Sequence, residues 1–219
     1  EHTDKLGHTL KEIAQEKAGI IRYKDSLVVC APQEEEARAV IRSRCQRLGA
    51  PLFEIQKDIF VETSADGFDV MGLFEEYPHL EIRLIGRHQR MNAALAVASA
   101  EALRYHGFFI SAPDIREGLA RAVWPGRCEV VASDPLIVLD GAQNRASAKV
   151  LAQAIRENFK YRKLVLVLGF SRDKDIQGVC AELSDLADEI ILTRADNPRA
   201  ADPRDFAKYF DNRTVRLTE

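Results

Sequence analysis

Residues 136–144, LIVLDGAQN, decide the fold. Four consecutive apolar residues read as a buried strand, Asp140 stands at its carboxyl end, Gly141 interrupts the run, and a helix is expected from about Ala146 to Phe159. Open α/β sheets bind ligands at the carboxyl ends of their strands, which makes Asp140 a candidate binding residue. Working outward, apolar runs at Glu129 to Ala132, Leu164 to Gly169 and Ile190 to Thr193 alternate with helical stretches at about Ile176 to Ala187 and Pro203 to Phe210, and Val215 opens one more strand. That alternation predicts an α/β layer with a mainly parallel, Rossmann-like sheet. Asp173-Lys174-Asp175 and Asp196-Asn197-Pro198-Arg199-Ala200 also follow strand ends, so both belong on the same rim. Lys174 could neutralise phosphate or a carboxylate there, or simply occupy a surface turn.

The pattern is different before Trp124-Pro125-Gly126. A strand is expected at Leu27 to Ala31, then a charged helix from Gln33 to Leu48 stopped by Gly49, then short strands between Leu52 and Leu84 with a turn at Ala65-Asp66-Gly67. An Ala-rich helix follows from about Gln89 to Tyr105, and another from Ser111, with Asp114 completing its cap, to about Ala122. The chain thus divides into residues 1–124 and 125–219.

The segment HTDKLGHTLKEIAQEKAGII, His2 to Ile21, concentrates ionisable groups around one short helix. Thr9 and Glu12 form a capping box, Leu10, Ile13, Ala14 and Ala18 keep helical spacing, and Gly19 ends it. Glu12 and Glu16 share a face. Lys17, flanked by Ala18, Gly19, Ile20 and Ile21, is expected to be a partly buried amine, which must find a partner or change its chemistry. On composition alone a solvated, salt-bridging face of Glu12, Glu16 and Lys17 is the favoured reading.

Composition excludes several classes. With 219 residues, 46% hydrophobic, 30% charged and a net charge of −3, the chain has no basic footprint for nucleic acid and no apolar run long enough to span a membrane. Cys30, Cys45, Cys128 and Cys180 lack CxxC spacing and are expected to be reduced and packed, as suits a cytoplasmic protein. His8, His79, His88 and His106 lack metal-ligand spacing, and Phe108, Phe109 and Trp124 are expected to serve packing. Neither GxxxxGK[ST] nor GxGxxG occurs, so no standard phosphate-cradling loop is present and a dinucleotide-binding dehydrogenase is disfavoured. Read alone, GRHQRMN at Gly86 to Asn92 is a helix start in which Gln89 and Asn92 satisfy backbone donors, and Arg127 in WPGR is a solvated linker residue.

Taken together and in order, these segments resemble the folylpolyglutamate synthase and dihydrofolate synthase family of Mur ligases. HTDKLGHTLKEIAQEKAGI is similar to its central-domain signature, HQRMNAA to its HQxxNAAxA element, WPGR to its PGR linker, and LDGAQN to its LDGAHNP motif; DKD and PRA segments follow. The resemblance implies the C-terminal part of a P-loop-type ATPase domain followed by a Rossmann-like Mur ligase C-terminal domain. It implies His2 as a magnesium ligand and Lys17 as a carbamylated lysine that also holds magnesium, since a carbamate offers the hard oxygens Mg²⁺ prefers. Asn92, with Gln89 beside it, would contact the adenine of ATP, and Arg127 and Asp140 would reach the nucleotide from the second domain, with Gln143 and Lys174 as further contacts. The family's usual His and Pro are Gln143 and Arg145 here, and a glutamine cannot titrate, so any proton-linked role of that His is absent.

The implied activity is ATP- and Mg²⁺-dependent addition of L-glutamate to dihydropteroate or a tetrahydrofolate polyglutamate through an acyl phosphate, by a cytoplasmic monomer. Another Mur-type amino-acid ligase and a non-catalytic nucleotide-binding module are the alternatives. Because the chain opens on Glu1-His2 without Met or a leading strand, and the family's P-loop precedes this region, a piece of a longer protein with little turnover of its own is expected.

Overall fold

The computed structural model describes residues 6–64, 67–210 and 214–218, which form two units: residues up to Arg83 together with Arg87–Val123, and Leu84–Gly86 together with residues from Trp124 onward. Among them no helix is long and apolar enough to cross a membrane.

The first unit begins with helix α1 (Leu10–Ala18), whose capping box is complete: Thr9 Oγ1 accepts from Glu12 N at 3.1 Å, and the Glu12 carboxylate accepts from the backbone of His8 and Thr9. These two N–H bonds hold the Glu12 carboxyl below its ordinary range. Strand β1 (Val28–Cys30) pairs in parallel with β2 (Leu52–Glu54) across helix α2 (Glu35–Leu48), which ends at Gly49 in the left-handed region (φ 67°). Ala18, Ile21, Cys45 and Ala50 pack α1 on α2. A meander of β3 (Phe60–Ser64), β4 (Gly67–Met71) and β5 (Glu76–Leu80) follows. Helix α3 (Arg87–Ala102) buries Ala93, Ala94, Val97 and Ala98 in one cluster with Phe68, Val70, Tyr77 and Leu80; small side chains let the helix approach closely. A 3₁₀ turn (Leu103–His106) and helix α4 (Ala112–Arg121, capped by Ser111) complete the unit.

One buried carboxylate organises this unit. Glu101, fully buried at the end of α3, accepts hydrogen bonds from Leu73 N, Phe74 N and Glu75 N at 2.5, 3.2 and 3.0 Å and from the Tyr77 hydroxyl at 3.2 Å, tying the helix to the β4–β5 turn. Burial first, and the Glu101 charge second, push the Tyr77 phenol up to about 12. A Cβ on Gly72 would stand 2.2 Å from Glu101 Oε2. Gly72→Ala is therefore expected to destabilise the unit by roughly 1–3 kcal/mol, measured as a shift in its urea midpoint.

In the second unit β6 (Glu129–Ser133) and β7 (Leu136–Leu139) form an antiparallel hairpin, while β8 (Val165–Leu168), β9 (Glu189–Leu192) and β10 (Val215–Leu217) form a parallel sheet in the order β10-β9-β8. The α/β build and the parallel strands follow the sequence expectation. The reading of residues 136–139 as a buried strand is corrected: Leu136, Ile137 and Leu139 are 44%, 43% and 49% exposed, because β7 pairs with β6 alone among the described residues. Helices α5 (Arg145–Asn158), α6 (Ile176–Leu183) and α7 (Pro203–Phe206) contribute Ala148, Ala152, Val179, Leu183 and Phe206 to a core with Leu168, Ile190 and Leu192. All four cysteines are free and buried.

Candidate functional site

In the second unit, Asp140 at the end of β7 works first on its own backbone. Its Oδ2 accepts from Cys128 N and its Oδ1 from Ala142 N, both at 2.8 Å, and Gly141 N donates to Gly126 O at 2.9 Å. The turn 126–128 and the loop 140–142 are thereby fastened together, with exposed Arg127 presented between them. Cys128 holds an uncommon left-handed conformation (φ 48°) that its bond to Asp140 supports. Its buried thiol is pushed up to about 11, by desolvation and then by the Asp140 charge, so it is no nucleophile at neutral pH.

The next helix begins under control of the same loop. Asn144 caps α5 through Ser147 N at 2.8 Å, and Gln143, whose side chain is exposed, donates its backbone N–H to Ser147 Oγ at 3.1 Å. Arg145 gains two contacts that a proline could not make: its N–H donates to Asp175 Oδ2 at 3.2 Å, and its Nε pairs with Glu182 at 2.8 Å. Asp175 also caps α6 through Gly178 N at 2.9 Å, so the second acid of DKD is an anchor between two helices.

The loops that follow β8 and β9 form a cavity of about 630 Å³ lined by Arg172, Arg194, Ala195, Asp196, Asn197, Pro198 and Ala200. It lies at the carboxyl ends of parallel strands, where α/β sheets gather ligands. The guanidinium of Arg172 is tethered by its Nε to Ala200 O at 3.0 Å. Arg194 and Asp196 have no ion-pair partner among the described residues, so the lining holds two cations and one carboxylate with unused bonding capacity. Beside it, Asp173 accepts from Arg199 at 3.1 and 3.2 Å and pairs with Lys174 at 3.1 Å. Lys174 and then Arg199 hold the Asp173 carboxyl down at about 2. A depressed folded-state value means the interaction is fully present above the ordinary value of 3.8 and is lost as pH falls through about 2. The Asp173 carboxyl carbon is expected to titrate near 2 by NMR.

In the first unit, Lys17 is exposed in the last turn of α1 and has no ion pair among the described residues, which corrects the expectation of a partly buried amine. Its apolar neighbours divide: Ala18 and Ile21 are buried while Ile20 is 81% exposed. His2 lies outside the described residues. Among those described, no group of three or more His, Cys, Asp or Glu could hold a metal ion. Gln89 is buried, and its Oε1 accepts from Asn92 Nδ2 at 3.0 Å, so the pair bond to each other rather than capping backbone donors. Asn92 is exposed in the second turn of α3, and its carbonyl oxygen has no hydrogen bond among the described residues. The aromatic residues expected in packing are exposed instead, Phe108 64%, Phe109 71% and Trp124 66%, with the Arg104 guanidinium 4.8 Å over the Phe109 ring.

Sequence reasoning located the rim but missed Arg172 and Arg194. Both follow expected strand ends, Arg194 one residue beyond Thr193 and Arg172 three beyond Gly169, and the strand-end rule that singled out Asp140 extends to them.

Residues 126–218 match the family model described as Mur ligase, glutamate ligase domain. The chain is 35% identical over 211 residues to the dihydrofolate synthase/folylpolyglutamate synthase of Bacillus subtilis, covering 94% of this chain and 49% of that protein. It is 33% identical over 214 residues to the enzyme of the same description from Mycobacterium tuberculosis, covering 92% and 44%. It superposes on the crystal structure of Mycobacterium tuberculosis folylpolyglutamate synthase complexed with ADP and AMPPCP with a TM-score of 0.88, at 32% identity, over 99% of this chain and 51% of that one. For E. coli FolC in complex with DHPP and ADP the TM-score is 0.85 at 27% identity, over 100% of this chain. The chain spans about half the length of the curated relatives it matches. Sequence similarity over more than nine-tenths of this chain and the shared fold agree, and the chain belongs to the folylpolyglutamate synthase/dihydrofolate synthase branch of the Mur ligase family.

Proposed function

We propose that this chain is the glutamate-adding part of an ATP-dependent ligase that joins a folate-type carboxylate to the amine of L-glutamate. The observation that carries the reading is the cavity beyond β8 and β9. Its two guanidinium groups, Arg172 held at Nε by Ala200 O and Arg194 without an ion pair among the described residues, and the carboxylate of Asp196 mirror the two carboxylates and one ammonium of L-glutamate, and a guanidinium fork pairs with both oxygens of a carboxylate at once. Kinship with folylpolyglutamate and dihydrofolate synthases supports dihydropteroate or a tetrahydrofolate polyglutamate as acceptor.

In this reading the acceptor carboxylate oxygen attacks the γ-phosphorus of ATP, the bond to the bridging oxygen breaks, and ADP leaves an acyl phosphate. The glutamate amine, having lost its proton, attacks the acyl carbon; the tetrahedral intermediate expels phosphate and the amide remains. Arg172 and Arg194 hold the carboxylates, and Asp196 holds the ammonium until deprotonation. Asn92, oriented by Gln89, presents a carbonyl acceptor to the adenine amino group. Arg127, Gln143 and the remaining lone pairs of Asp140 belong to the nucleotide's side of the reaction, where fixed donors facing developing negative charge lower the barrier, while Lys174, paired with Asp173, stands beside the glutamate's carboxylates. The described residues do not form a metal site by themselves; Lys17 as a carbamate would supply oxygen ligands for Mg²⁺, whose chemistry is to neutralise phosphate charge, with His2 as its companion. Reduced, buried cysteines suit a cytoplasmic setting.

The test is ADP release by the full-length product of the gene encoding this chain, with Mg²⁺, ATP and L-glutamate, offering dihydropteroate and tetrahydrofolate separately. Turnover with either acceptor supports the reading, and their ratio separates synthase from chain extender. Glutamate-independent ADP release, or none with both acceptors, would sink it.

A further inference from the structure

The two loops that wall the glutamate cavity are zipped to each other by a set of bonds running along one edge. Arg172 N donates to Arg199 O at 2.9 Å, Ala201 N to Phe170 O at 2.8 Å, and Ser171 and Ala200 form an antiparallel bridge. Beyond this backbone seam two side chains cross between the loops among the described residues, Arg172 to a backbone carbonyl and Asp173 to a side chain. Asp173 on the β8 loop takes one Nη of Arg199, from the β9 loop, on both carboxylate oxygens, and its Oδ2 also meets Lys174 Nζ. Arg172, the one cavity residue contributed by the β8 loop, lies next to Asp173, and its Nε bonds to Ala200 O beside Arg199. The guanidinium that would seat one glutamate carboxylate is thus placed by a loop whose position relative to Arg194, Asp196 and Asn197 is set at Asp173.

We propose that Asp173 is a positioning residue for L-glutamate: a latch that fixes the spacing between Arg172 on one wall and Arg194 and Asp196 on the other, without touching substrate. The inference rests on the cavity being the amino-acid site. Lysine and arginine both favour the ionised latch, and its carboxyl remains charged far below neutral pH, so protonation does not open it in the working pH range and it is no pH switch. Exposed ion pairs are individually weak, so the expected consequence of opening it is a moderate loss of glutamate affinity and not a loss of fold.

The experiment compares Asp173→Ala, Asp173→Glu and Arg194→Ala in the full-length gene product, measuring KM for L-glutamate and for ATP. Asp173→Ala is expected to raise the glutamate KM about fivefold while the ATP KM stays within about twofold, and Asp173→Glu to restore the wild-type value. An unchanged glutamate KM in Asp173→Ala, with Arg194→Ala raising it, overturns the latch and leaves the cavity assignment standing. Parallel rises in both KM values, or no rescue by glutamate at position 173, also overturn it, since a general structural role behaves that way. If Arg194→Ala leaves the glutamate KM unchanged, the cavity assignment falls and the latch with it. In the 219-residue chain itself, slowed guanidinium rotation of Arg199 in nitrogen-detected NMR spectra is expected for wild type and lost in Asp173→Ala; free rotation in wild type would contradict the latch independently of catalysis.

Discussion

Glu101→Ala is expected to lower the stability of the first unit by about 4 kcal/mol, the range found when one partner of a buried charged network is removed. The carboxylate is fully buried and receives three consecutive backbone N–H groups and the Tyr77 hydroxyl. Alanine leaves all four donors without an acceptor, and each buried orphan costs roughly 1–3 kcal/mol before relaxation or water entry recovers part of it. Glutamine keeps one acceptor oxygen but turns an amide donor toward the remaining N–H groups, so it is expected to be intermediate. Urea unfolding followed by circular dichroism gives the magnitude. Native-state hydrogen exchange gives the location: the amides of Leu73, Phe74 and Glu75 should lose protection first. Wild-type stability in Glu101→Ala, with those amides still protected, would show that the network contributes nothing. The consequence for function is indirect, because α3 carries the Gln89–Asn92 pair near its first turn and Glu101 in its last, and a helix unpinned at one end holds the other less firmly.

Arg194→Ala is expected to raise the KM for L-glutamate roughly thirtyfold, equivalent to about 2 kcal/mol, the size of a hydrogen-bonded contact between charged groups. Arg194 lines the cavity and has no ion-pair partner among the described residues, so its removal exposes no internal charge and should leave the fold intact. The ATP KM is expected to stay within about twofold, since loss of a contact to one substrate need not alter the other. Arg194→Lys should recover only part of the effect, because an ammonium cannot pair with both oxygens of a carboxylate in one plane. An unchanged glutamate KM in Arg194→Ala would remove the cavity from the active site.

The elements that sequence reading captured are those whose cause is local. The Thr9 and Glu12 capping box, the Gly49 stop, the Ser111 cap and the strands after residue 160 each depend on residues within one turn or one short run of each other. Where the reading failed, the deciding partner was distant. Four apolar residues at 136–139 were taken for a buried strand, yet run length does not reveal how many neighbours a strand finds; β7 has β6 alone among the described residues and stays half exposed. Lys17 was expected to be partly buried because its neighbours are apolar, but on a helix adjacent residues face different directions, and Ala18 turns inward while Lys17 turns out. Glu101 carries no local mark at all, since its donors lie 24 to 28 residues earlier in the chain.

By itself the sequence determined the element types, the α/β class of the second half, the order of the family's motifs, and the placing of acids and basic residues at strand ends, all of which depend on spacing along the chain. Only the tertiary structure decided that Asp140 spends two bonds on fastening the Arg127 turn, that Gln89 orients Asn92, that Asp173 joins two loops, and that Arg172 and Arg194 share a cavity. The physical reason is that capping and periodicity are set by neighbours a few residues away. Burial, charge pairing and cavity shape are instead set by which distant segments the folded core brings side by side.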